Sequence, residues 1–77
     1  MTVTKEAKSL MYSWLLSRYG MLEAIVAIDK VVTELGRFDY AVLPIGDEEV
    51  NVRPSHKKLS EGTPGVVGQG VRIWVNQ

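Results

Sequence analysis

One histidine, no cysteine and a run of three acidic residues are the first places to look for chemistry in this sequence. His56 stands between Ser55 and Lys57. General-base work needs an orienting carboxylate and a nucleophile beside the imidazole, and nothing at a fixed spacing supplies either. His56 therefore reads as a solvated loop residue. Asp47, Glu48 and Glu49 are consecutive, whereas a calcium loop alternates its ligands so that they converge on one ion. They read as a polar hairpin tip that blunts a sheet edge. Gly62, Gly65, Gly68 and Gly70 offer backbone N–H groups without side chains. The run lacks both the GxxxxGKS/T phosphate loop and the GxGxxG dinucleotide fingerprint, and a strand rather than a helix follows it. The expectation is a non-enzymatic protein with no catalytic residue, no cofactor and no metal.

The C-terminal stretch is less bland. Val71, Ile73 and Val75 alternate with Arg72, Trp74 and Asn76. In a strand these two sets face opposite ways, and the aliphatic set must face the core. Arg72 and Trp74 are then on an outer face, where pairing with residues 49–53 would add Asn51 and Arg53. Trp and Arg side by side are the residue types that dominate interface energetics. They also suit stacking on single-stranded bases. Lys57 and Lys58 lie close in sequence to Arg53, so Arg53, Lys57, Lys58, Arg72 and Trp74 form the expected partner-binding set. The competing reading is that the first helix or the loop at 55–70 folds over and buries Trp74, with the basic cluster merely solvated.

The element that must carry this sheet is the apolar stretch at 21–35. Met21, Ile25, Ile28, Val32 and Leu35 recur at helical spacing and form one stripe. Leu22, Val26 and Val31 lie off that seam, and the surplus apolar surface predicts self-association through them. Upstream, Thr4 is the expected N-cap of a segment carrying Ala7, Leu10, Met11, Trp14 and Leu15. Two readings compete at Gly20. If it is a left-handed stop, two helices follow one another. If the helix runs through, the stripe keeps seven-residue phase from Ala7 to Leu35, with Arg18 its only polar member. Phase favours one long or kinked helix. A helix-turn-helix around Gly20 fits poorly, because the segment after it offers aliphatic side chains where base edges need polar ones.

Leu35-Gly36-Arg37-Phe38 reads as a helix stop with Gly36 at positive φ and Phe38 folding back. Beyond it the period changes to alternation. Residues 40–45 and 49–53 form an expected hairpin around Gly46-Asp47, with Pro44 marking an edge. Residues 55–70 hold four glycines and one proline in sixteen positions and read as a mobile or functional loop. Residues 71–76 are the last strand.

The totals narrow the function. The chain has 77 residues, enough for one small domain whose stability is marginal. Nine basic and nine acidic side chains cancel, which weighs against a dedicated nucleic-acid binder. No apolar run reaches membrane-spanning length, and the N-terminus lacks a signal-peptide core, so a cytoplasmic location is expected. The expected fold is α+β: a long or kinked helix over 4–35 on a mainly antiparallel three-stranded sheet within 40–76. The expected function is that of a small regulator or inhibitor, of the kind phages and mobile elements produce, which covers a surface of a larger protein. The alternative is a nucleic-acid-associated regulator using the basic and aromatic sheet face.

Overall fold

The computed structural model describes residues 1–55 and 65–76. Two helices, α1 (Lys5–Tyr19) and α2 (Met21–Phe38), precede four strands: β1 (Ala41–Ile45), β2 (Glu48–Pro54), β3 (Gly65–Gly68) and β4 (Val71–Asn76). The strands form one antiparallel sheet in the order β1-β2-β4-β3. The helices pack on each other, with α2 against β1 and α1 against β3. The fold is thus α+β, with four strands instead of three and a helical hairpin instead of one long or kinked helix.

Thr4 starts α1, its Oγ1 accepting from the Ala7 N–H at 3.0 Å. Gly20 ends it at φ 89°, ψ 174°. That conformation is essentially closed to residues with a Cβ. Gly20 serves both helices, because its N–H donates to the Leu16 carbonyl and its own carbonyl accepts from the Ala24 N–H, each at 3.0 Å. Seven-residue phase across the break therefore did not mean continuity.

The stripe on α2 is also rotated from the expected one. Ala24, Ala27, Ile28, Val31 and Leu35 are buried, while Met21 and Ile25 are 62% and 51% exposed. The hairpin and the sheet together select the arc holding the two small alanines, which lets neighbouring elements approach closely. Gly36 does not terminate α2. The helix continues to Phe38, and Asp39 takes the left-handed position at φ 60°. Asp39 fits there because its short polar side chain tolerates that region, and its Oδ1 accepts from the Met1 amine, which also donates to the Leu35 carbonyl. Phe38 is half exposed and tilted against Tyr40, with ring centroids 6.1 Å apart.

Gly46-Asp47 closes the β1–β2 hairpin with positive φ at Gly46 alone, the pattern of a type II′ turn. Gln69-Gly70 closes the β3–β4 hairpin with positive φ at both positions, the type I′ pattern. Part of the expected loop at 55–70 is therefore a strand. Its short, Gly-flanked sequence hides the alternation, and Val66 reveals its inward role only by pairing with Ile73. The inner sheet face supplies Ala41, Leu43, Val50, Val52, Val71, Ile73 and Val75 to the core. Ala7, Met11 and Leu15 of α1 meet them. Trp14 is only partly buried at the edge of this cluster.

Candidate interaction surfaces

Strand register places the outward side chains in rows across the sheet. Val42, Asn51, Trp74 and Gly65 are successive partners on β1, β2, β4 and β3. In the next row Arg53 stands opposite Arg72, and Arg72 opposite Val67. Two like charges directly opposite are unfavourable. Each guanidinium instead lies over its own ring: Arg72 is 4.3 Å from the Trp74 centroid and Arg53 is 5.6 Å from that of Tyr40. Such stacking draws on the ring quadrupole. In the third row Asn76 Nδ2 donates to Glu49 Oε2 at 2.9 Å.

Trp74 is partly buried, and its neighbour Gly65 explains how. The β3 backbone comes so close that a Cβ at Gly65 would lie 2.6 Å from Trp74 Cβ and would strike the Ile73 carbonyl oxygen. Only glycine permits this approach. Arg72 is also partly buried, and its Nε is enclosed with no hydrogen-bond partner among the described residues. Arg53, Arg72 and Trp74 thus share the sheet face opposite the helices, joined by Tyr40 and Val42, which the sequence reading left out. Lys57, Lys58 and His56 lie outside the described residues, as does the 56–64 part of the expected loop at 55–70.

A second surface belongs to α2. Met21, Leu22, Ile25 and Val26 are all at least half exposed, with Leu22 the most exposed at 75%. Beside them a groove of about 370 Å³ runs between α2 and β1, lined by Leu22, Val26, Ala27, Leu43 and Ile45, with Glu23 and Lys30 flanking it. Leu22 and Val26 were expected here. Val31 was expected with them, but it is fully buried. One residue along a helix turns a side chain by about 100°, enough to move Val31 from the surface to the core. Met21 and Ile25 take the outward position instead. The signal for them was the same apolar surplus, read against the wrong seam.

A third cluster ties the helical hairpin to the sheet. Arg18 donates through Nε and Nη2 to the two carboxylate oxygens of Glu48, at 3.1 and 2.6 Å. Arg18 also lies near the rings of Trp14 and Tyr19, which meet edge to face at 6.0 Å. The guanidinium holds the Glu48 carboxyl below its ordinary range. Burial pushes the Tyr19 phenol up, and its hydroxyl has no hydrogen-bond partner among the described residues. This cluster closes the junction between the α1 C-terminus and the first hairpin.

Among the described residues, no group of three or more His, Cys, Asp or Glu gathers where it could hold a metal ion. No helix among them is long and apolar enough to cross a membrane. Comparison of the chain with protein-family models, with curated proteins and with solved structures finds no match.

Proposed function

We infer that the chain is a small non-enzymatic protein-binding regulator or inhibitor, which uses its outer sheet face to cover a surface of a larger protein. The observation that supports this is the composition of that face. Trp74 stacked with Arg72 sits at its centre, flanked by Arg53 with Tyr40 and by the exposed Val42. Aromatic residues and Arg held in fixed positions make strong anchors because little side-chain entropy remains to be lost on binding. Charge on the face is mixed, with Glu49 on the far side of the Asn51–Trp74 row from the two arginines, which suits a protein partner better than a uniformly anionic one.

The test is affinity capture from the native host with wild type and Trp74→Ala, followed by titration against the purified partner. Trp74→Ala should weaken binding by about 2 kcal/mol or more, the scale of an interface hot spot. It should retain a cooperative thermal transition. Unchanged binding, or a variant that no longer folds while Arg72→Ala and Arg53→Ala both fold and bind normally, would remove this face from the reading.

The second reading is a nucleic-acid-associated regulator, favoured by Arg53 and Arg72 standing opposite each other on neighbouring strands of one sheet face. Against it, the Arg72 guanidinium already occupies one face of the Trp74 ring, so a base stacking there would have to displace it. A salt titration of binding to mixed nucleic acid separates the two, since phosphate contacts give a steep salt slope.

A further inference from the structure

We propose that α2 is a self-association surface that pairs antiparallel with α2 of a second copy of this chain. The apolar side chains come first. Met21, Leu22, Ile25 and Val26 occupy the N-terminal half of the helix and point away from the core. Of these, Leu22 and Val26 share the arc of the helix that carries Glu23, Lys30 and the groove, and a twofold interface uses each of them twice.

The charges specify the occupant. Glu23 and Lys30 flank the groove beside this patch. They are seven residues apart, two helical turns, and therefore share a face about 10 Å from one another along the axis. That separation prevents them from pairing within one helix. The ion pairs found among the described residues are Met1 with Asp39 and Arg18 with Glu48, and neither involves Glu23 or Lys30. An antiparallel pairing centred between Val26 and Ala27 sets Glu23 of each copy beside Lys30 of the other. The same pairing carries Leu22 toward the Ala27–Lys30 end of the facing groove. The surface is thus complementary to itself in both charge and shape.

The neighbouring sheet edge points the same way. β1 is an edge strand, but Pro44 within it lacks an N–H, and proline blunts an edge against backbone pairing. At this edge, which adjoins the groove, a second copy is therefore held by side chains on α2 and not by extension of the sheet from β1. In such a dimer the two outer sheet faces remain free, and a partner with two sites would gain avidity.

Sedimentation of the purified chain from about 1 to 100 micromolar tests this. The wild type should be a dimer in the upper part of that range. Leu22→Asp should stay folded by circular dichroism, since Leu22 is 75% exposed, and should weaken the dimer by about 100-fold. Glu23→Lys alone and Lys30→Glu alone should each weaken it roughly tenfold by placing like charges together, because the contact occurs twice. The double swap Glu23→Lys with Lys30→Glu should restore it. Trp74→Ala should leave the dimer intact, which keeps this test separate from that of the sheet face. A wild-type monomer throughout, or a dimer unaffected by Leu22→Asp, would overturn the proposal. So would single charge swaps without effect, or a double swap that fails to rescue. A monomer that loses a heterologous partner on Leu22→Asp would assign the face to that partner instead.

Discussion

The two helices do the same packing work and present opposite exteriors. On α1, Ala7, Met11 and Leu15 face the core, while Lys5, Glu6, Lys8, Ser9, Ser13 and Ser17 face water, with Leu16 the only large exposed apolar residue. On α2, a wider buried arc is followed around the helix by four exposed aliphatic or thioether side chains. An ordinary surface helix of a small domain resembles α1, with one apolar stripe and a polar back. The lesson is that burial within the chain accounts fully for the sequence of α1 but only partly for that of α2. The remainder of α2 is apolar surface that no other described residue covers, and a chain under no other demand would replace it with charge.

Core substitutions should affect both helices alike and give the largest effects. Leu15→Ala on α1 and Leu35→Ala on α2 remove fully buried side chains, so each should cost about 2–5 kcal/mol in urea unfolding. Leu22→Ala, measured in dilute protein, should change stability by less than about 0.5 kcal/mol. A Leu22→Ala cost equal to the other two would break the contrast, because it would mean that the outward face of α2 is already covered.

The glycine before α2 and the glycine inside it should respond with opposite sign. Gly20→Ala forces a Cβ into a backbone conformation reserved for glycine and should cost about 1–3 kcal/mol. Gly36 lies inside the helix, and a Cβ there meets nothing within 4 Å. Gly36→Ala should therefore stabilise by up to about 1 kcal/mol. Thermal melts of the two variants side by side would decide it, and a destabilising Gly36→Ala would contradict the helix boundary described above.

The smallest effect concerns pH. Glu48 titrates below its ordinary value of 4.5 because Arg18 stabilises the carboxylate. Its contribution to stability is present above 4.5 and is lost as pH falls through the depressed folded value. Glu48→Gln should therefore lower the melting temperature slightly at neutral pH, and its profile should converge with that of the wild type as pH falls through the depressed value. Because the pair is solvent-exposed, the difference should also shrink in salt. A profile identical to that of the wild type at every pH would show that the pair does not hold α1 to the first hairpin.

Local chemistry carried much of this fold without help. Thr4 capping, the alternation of β1, β2 and β4, the Gly46-Asp47 turn and the parity that turns Trp74 outward are all set by residues within a few positions of one another. Period-2 alternation with one strongly aliphatic face leaves a strand little choice. The loop glycines at 65–70 were harder, because a four-residue strand has too few side chains to show a period. What the chain order alone could not decide was which arc of α2 faces inward and whether Gly20 interrupts it. Phase is preserved under either topology, so periodicity cannot distinguish a long helix from two helices folded back. That choice rests on contacts between residues distant in sequence: Met11 and Leu15 against α2 and the sheet, and Val31 turned toward the same core. The tertiary structure alone placed Val31 inside and Met21 and Ile25 outside, because a wide apolar helix offers several nearly equivalent seams and only its neighbours select one.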